Sequence, residues 1–305
     1  MSERSVSRLS AAGRAGTRAA AKAVAEQARG QAHGPAPGQA RGPARTAEAA
    51  RPRVRRPLGL WRLEVLRVTR TRRWLLLLIA FPLLGAAGPL VVRHLDRILE
   101  VLGADGANPP DDMGAPEGMA AYVSASGQIG LFVALGIAAA ALAVDHRPGL
   151  AAFYRTRTRQ AWDLVVPRWT VCAAAVCIAN TVATGIVWAE LRWLWGPVPT
   201  DRILYGALFN TLYLLMALGL VAGASAFLRR PVALFGAALV ALVLSPLPRL
   251  WKPMRDWEPS SLGGAGVELL ENASPGEFVR PAIVAVLVTL TMLSLAVWRV
   301  GRREM

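Results

Sequence analysis

A chain of 305 residues that is 54% hydrophobic, yet carries a formal charge of +15, is not composed like a soluble domain. The two properties agree when apolar residues lie in blocks and the charges lie in the segments between them. The charge is nearly all arginine, since Lys22 and Lys252 are the only lysines, and the Ala, Arg, Gly and Pro bias points to a GC-rich bacterial gene. The only cysteines, Cys172 and Cys177, share one apolar run. With no second pair and no nearby histidine they form neither a disulfide framework nor a zinc site, and read as small packed residues.

Residues 1–56 are rich in Ala, Gly, Arg, Pro and Ser, with almost no large apolar side chain. Such a segment cannot bury enough surface to offset its ordering entropy, so a disordered, basic cytoplasmic tail is expected. Its arginines either attract anionic lipid or nucleic acid, or merely solvate the tail; no aromatic residues interleave them as in nucleic-acid binders. From Pro57 to Arg73, Leu58, Leu60, Trp61, Leu63, Val65, Leu66 and Val68 alternate with Arg62, Glu64, Arg67 and Arg70. A helix of that composition just before an apolar run is expected to lie along the cytoplasmic interface. Thr71-Arg72-Arg73-Trp74-Leu75-Leu76 superficially resembles a twin-arginine export signal, but its depth in the chain and the five further runs make it the positive flank of a first span.

Six apolar runs follow: Trp74–Val92, Gly127–Val144, Trp169–Trp188, Leu204–Leu228, Val232–Leu247 and Pro281–Trp298. All but the fifth reach the ~18 residues expected of a transmembrane helix. The fifth has 16 and ends in Ser245-Pro246-Leu247-Pro248, so its far end is expected to bend within the interface. Charge counts set the orientation. Lys/Arg against Asp/Glu run 17 to 4 before the first span, 2 to 6 over Arg93–Ser126, and 5 to 2 over Asp145–Arg168. They continue at 2 to 2 over Ala189–Ile203, a bare Arg229-Arg230, 4 to 5 over Pro248–Arg280, and 3 to 1 after Trp298. The alternation obeys the positive-inside rule and places both termini, the Asp145–Arg168 turn and the Arg229-Arg230 turn in the cytoplasm. The expected protein is an all-α, multi-pass protein of the bacterial inner (plasma) membrane. It has an interfacial helix over 57–73, a six-span domain over 74–298 and a short basic tail over 299–305.

No catalytic constellation is visible. His33, His94 and His146 lack metal-ligand spacing, and no G-x-x-x-x-G-K-[ST] phosphate loop occurs. Asn108-Pro109-Pro110-Asp111-Asp112 faintly resembles one acidic motif of membrane prenyltransferases, but it stands alone and reads as a solvated turn. Polar residues within the spans are few: Asn180, Thr181 and Thr184, then Asn210, Thr211 and Tyr213, then Thr289, Thr291 and Ser294. They either bond neighbouring helices or line a translocation path, with Asn180, Thr184, Asn210 and Tyr213 as its candidates. No ionisable side chain falls in mid-span, which argues against a proton- or ion-coupled carrier.

Three segments stand in a set order around these spans. Leu60–Thr71 precedes the first; Ala143-Val144-Asp145-His146-Arg147-Pro148-Gly149 and Arg155–Arg159 join the second to the third; Trp257-Glu258-Pro259-Ser260-Ser261-Leu262-Gly263-Gly264 precedes the sixth. In that order and spacing, the region from about Gly59 to Arg303 resembles the permease subunits of ATP-binding-cassette transporters of the type-2 exporter class. The resemblance implies a cytoplasmic coupling helix between spans two and three and a re-entrant extracellular hairpin between spans five and six. It also implies a second permease copy, in a homodimer, and a cytosolic ABC ATPase subunit that binds the ATP and Mg, this chain binding no cofactor itself. The coupling contact would comprise Asp145, Arg147, Phe153, Tyr154, Arg155, Arg157, Arg159, Trp162 and Asp163. Aromatic packing beside solvent-facing arginines suits docking in a cleft, from which spans two and three would be moved as levers. Anchoring to lipid head groups is the other account of the same arginines. Export of an unidentified substrate, with no enzymatic site on this chain and no nucleic-acid partner, is the function expected. A non-transporting six-span accessory or scaffold protein is the alternative.

Overall fold

Apolar runs of this length fold as helices because a backbone removed from water must hydrogen-bond to itself. The computed structural model describes residues 58–103, 113–143 and 162–303, and no strand occurs among them. Helix α1 (Leu58–Arg70) precedes α2 (Arg73–Arg93) and a short α3 (Leu95–Val101). Helix α4 (Ala115–Ala125) passes through a wide π-turn (Ser126–Gly130) into α5 (Leu131–Leu142). Then come α6 (Trp162–Trp195), α7 (Thr200–Ser225) and α8 (Pro231–Leu244). Two 3₁₀ turns (Leu247–Leu250 and Lys252–Trp257), α9 (Ser261–Leu270), a third 3₁₀ turn (Pro275–Phe278) and α10 (Val279–Arg303) complete the order.

Six stretches are long and apolar enough to cross a membrane: Trp74–Arg93, Ala115–Leu142, Trp162–Trp195, Thr200–Ser225, Pro231–Leu250 and Pro275–Arg302. This is the pattern of an all-α, multi-pass membrane protein. Burial agrees with it, for the large aliphatic side chains point outward: Val232 is 81% exposed and Val243 70%. In water that surface would be a severe liability, whereas lipid is as apolar as leucine.

Helix spacing inside the bundle is set by small residues. A Cβ on Gly88 of α2 would stand 2.7 Å from the Tyr122 backbone nitrogen of α4, and one on Gly206 of α7 2.7 Å from the Gly266 Cα of α9. At those crossings backbone lies against backbone, the close approach by which helices gain dispersion contacts in lipid.

Polar contacts fasten the two ends. At one end Trp195 Nε1–H donates to the Met113 carbonyl at 3.0 Å, joining the end of α6 to the entry of α4. Near it Arg202 donates to the Leu269 carbonyl at 3.1 Å and to Asn272 Oδ1 at 2.9 Å, joining the start of α7 to the end of α9. At the opposite end of α6, Arg168 Nε donates to Glu64 Oε1 at 2.9 Å and ties α6 to α1. Helix α1 is therefore inverted relative to a soluble amphipathic helix: it buries its acid and exposes Leu63, Val65 and Leu66.

The element bounds differ from the hydropathy runs for local reasons. The second span begins at Ala115 rather than Gly127, so the Arg93–Ser126 segment read as a loop contains α3 and α4. Glu117, Tyr122, Ser124 and Ser126 lower the hydropathy there without interrupting the helix. The third span extends to 34 residues, about 50 Å at the usual rise, and so outreaches a ~30 Å hydrocarbon core. Helix α8 ends at Leu244, where Ser245-Pro246 disfavours further α conformation and the chain passes into 3₁₀ turns. The basic tail over 1–56, the acidic turn at 108–112 and the segment 144–161 lie outside the described residues.

Glu64 and Arg168 are both nearly fully buried, and Arg67 stands 3.6 Å from the second Glu64 oxygen. Arg168→Met leaves a buried carboxylate with only that longer contact, at the low end of the ~3–5 kcal/mol seen when one member of a buried pair is removed. Thermal unfolding in detergent should show that loss, and Glu64→Leu combined with Arg168→Met should recover most of it.

Candidate functional site

The polar residues of three spans meet around Asn180, which is fully buried on α6. Tyr122 of α4 donates its hydroxyl to Asn180 Oδ1 at 3.2 Å, and Asn210 Nδ2 of α7 donates to the same oxygen at 2.9 Å. Asn180 Nδ2 in turn donates to Thr211 Oγ1 at 3.0 Å and to the Ala207 carbonyl at 3.4 Å. Asn180 and Thr211 thus bring α6 and α7 together, while Tyr122 adds α4. Thr184, one turn along α6, is also buried, and its hydroxyl adjoins the Tyr122 phenol together with that of Ser126.

Beside this network a groove of about 260 Å³ opens between α4, the π-turn, α7 and the approach to α9. Ser124 and Gln128 line one wall, Asn210 and Tyr213 a second, and Ser260 and Gly263 close the third. At Gly263 a Cβ would lie at ordinary van der Waals distance, 3.5 Å, from the Tyr213 ring. The groove lies mid-depth, since Gln128 falls half-way along Ala115–Leu142 and Asn210 near the middle of Thr200–Ser225. A π-turn widens the helix by one residue and is frequent at functional sites. Here it turns Gly127 and Gln128 outward.

Ser124 and Gln128 are exposed at that depth, and neither side chain has a hydrogen-bond partner among the described residues. Lipid offers them none, and an unpaired amide in an apolar medium costs several kcal/mol. Water, a ligand or another polypeptide would satisfy them. Below the groove, Glu258 is buried at the entry to α9, where Arg249 and the Ser260 hydroxyl hold its carboxylate and the Ser261 hydroxyl donates to its carbonyl at 2.8 Å. A satisfied carboxylate at a helix start also suits the helix dipole. Among the described residues, no three His, Cys, Asp or Glu side chains gather as a metal ion would require.

Of the four path candidates named from sequence, Asn180 and Thr184 are enclosed between helices, while Asn210 and Tyr213 face the groove. Of the coupling residues, Trp162 and Asp163 open α6, with Trp162 exposed. Asp145, Arg147, Phe153, Tyr154, Arg155, Arg157 and Arg159 lie outside the described residues. Sequence reasoning missed Tyr122, Ser124, Gln128 and Glu258. The first two fell before the apolar run taken as span two, and Gln128 at its second position; treating the polar stretch 122–128 as continuing helix would have found them.

Comparison with protein-family models and with curated proteins yields no match for this chain.

Asn180→Leu removes the shared partner of Tyr122, Asn210 and Thr211. Interhelical hydrogen bonds in membranes contribute up to about 1–2 kcal/mol each, so a loss of roughly 2 kcal/mol in unfolding free energy is expected. Thr181→Val is the control and should change stability little, because the Thr181 hydroxyl is exposed and bonds only the Cys177 carbonyl of its own helix at 2.8 Å.

Proposed function

We propose that this chain is the membrane-spanning permease subunit of an ATP-binding-cassette exporter, with ATP hydrolysed on a separate cytosolic subunit. The observation that carries the proposal is the mid-depth groove, where Ser124, Gln128, Asn210 and Tyr213 present hydrogen-bonding groups to something other than lipid. A translocation path supplies water and substrate there. The order of elements supports the same function: a separate helix before span one, a basic segment between spans two and three, and the short α9 before span six. The basic excess on alternate segments supports a cytoplasmic side for α1, the 145–161 segment and both termini. The α9 hairpin is then extracellular and re-entrant, and its Glu258–Arg249 pair lies on the outer side of the groove.

In this arrangement Asn210 and Tyr213 belong to the path, and Asn180 and Thr184 hold the helices that form it. The partner ATPase docks on the segment that carries Phe153, Tyr154, Arg155, Arg157, Arg159 and Trp162, and its ATP-driven movement reaches α6 through Asp163. Glu64 and Arg168, one turn beyond, carry that displacement to α1. A second permease copy completes the path as a homodimer. The substrate class stays open between peptide, antibiotic, lipid and polysaccharide.

A six-span accessory protein is the second candidate, in which a neighbouring polypeptide would fill the groove. Labelling separates the two. In a Cys172→Ala, Cys177→Ala background, Gln128→Cys should react with a charged maleimide at least about tenfold faster than the lipid-facing Leu83→Cys, because thiolate forms only where water reaches. Protection of Gln128→Cys in native membranes would favour the accessory protein.

The coupling role has its own test. Changing Arg155, Arg157 and Arg159 together to Glu should abolish co-purification of an ATPase subunit and its stimulated ATP hydrolysis, while the permease still inserts and melts normally. An intact complex after charge reversal would refute docking at this segment.

A further inference from the structure

Helices α1, α2 and α6 leave a second concavity of about 290 Å³. Val65 and Val68 of α1 form one wall, Trp74 and Leu78 of α2 the other, and Ala174 and Ala175 of α6 the floor. These are i, i+3 or i, i+4 pairs and a small-residue step, so each helix turns one face to the slot. The polar atoms that reach it are already satisfied. Thr69 donates its hydroxyl to the Val65 and Leu66 carbonyls at 3.0 and 3.1 Å, and Trp74 Nε1–H donates to the Thr69 carbonyl at 3.4 Å. What is left for an occupant is carbon.

The slot exists because the chain turns sharply between α1 and α2. Arg72 takes a left-handed backbone conformation, φ 52°, and the Trp74–Thr69 hydrogen bond closes the corner. That corner also carries the charge. Arg70 follows Thr69, Arg72 precedes Trp74 by two residues, and both are exposed with no ion-pair partner among the described residues. The only acid of α1, Glu64, is buried against Arg168 and offers these arginines nothing. An apolar slot beside a corner that carries two exposed arginines, without ion-pair partners among the described residues, suits one chemistry, an acyl chain joined to an anion.

We propose that this slot binds one anionic phospholipid, with an acyl chain between α1, α2 and α6 and the head-group phosphate on Arg70 and Arg72. The assignment requires only that the six helices sit in a membrane, and it stands whether or not the chain transports a substrate. A bound lipid would hold α1 against α6 beside the Glu64–Arg168 pair, stiffening that end of the bundle.

Native mass spectrometry of the full chain in detergent tests this, with phosphatidylglycerol and phosphatidylcholine of identical acyl chains as the two probes. Phosphatidylglycerol should be retained about tenfold more strongly or better, the preference expected of two arginines at an anionic surface. Arg70→Gln with Arg72→Gln should equalise the two lipids, and Ala175→Phe, which fills the floor, should abolish tight retention of both. Ala174→Leu narrows the same slot more gently and should weaken retention in the same direction if Ala175→Phe does not fold. Equal retention of the two lipids by the unaltered chain would overturn the proposal. So would undiminished phosphatidylglycerol retention by Ala174→Leu, or retention that appears only after a dimer is dissociated, which would mean that a second copy fills the slot.

Discussion

Inside a bilayer a polar atom has no water to fall back on, and this constraint arranges most of the molecule. It makes every crossing segment a helix, and it governs the side chains on those helices. The hydroxyls of Thr170, Thr181, Thr211 and Thr289 each donate back to a carbonyl four residues earlier, so they leave nothing exposed to lipid. Asn180 cannot be satisfied by its own helix, and α4 and α7 supply what it lacks. Against that background Ser124 and Gln128 stand out: Thr291 and Ser294 of α10 are also exposed without a partner among the described residues, but only Ser124 and Gln128 line a groove beside the buried network. Unpaired groups gathered in one recess are where function is to be sought.

The spans were legible because their information is local: twenty apolar residues in a row specify a helix whatever surrounds them. The bend after α8 was legible for the same reason, since Ser245-Pro246 acts on its own neighbours. Glu64 was not. In sequence it is one acid among arginines on a surface helix, and nothing near it names Arg168, more than a hundred positions on, as its partner. Glu258 was hidden in the same way within a loop rich in charge. Tyr122 and Ser124 failed differently. A hydropathy window averages them with Glu117 and the glycines, and so ends the span just where the groove begins.

Two buried carboxylates therefore mark the ends of the bundle, Glu64 against Arg168 and Glu258 against Arg249. Each joins a short helix that does not cross the membrane to the frame that does. Such pairs contribute less net stability than their proximity suggests, because each carboxylate loses its hydration, as Arg168 does too, whereas Arg249 stays half exposed. What they fix is position. Helix α9 also packs through Leu262, Ala265 and Leu269, and on both short helices the directional contact adds a fixed angle and register.

The π-turn carries a consequence for phase. Tyr122 and Ala138 are both buried, and sixteen residues separate them. At about 100° per residue an unbroken α-helix would set them roughly 160° apart, on nearly opposite sides. The single extra residue absorbed between Ser126 and Gly130 brings them to within about 60°. One continuous span can then keep a single inward stripe, from Met119 to Leu142, while the displaced residues are turned out of it. The groove is thus the outward side of a correction in helical phase, and the chain obtains a polar recess at mid-depth without breaking the helix that crosses it.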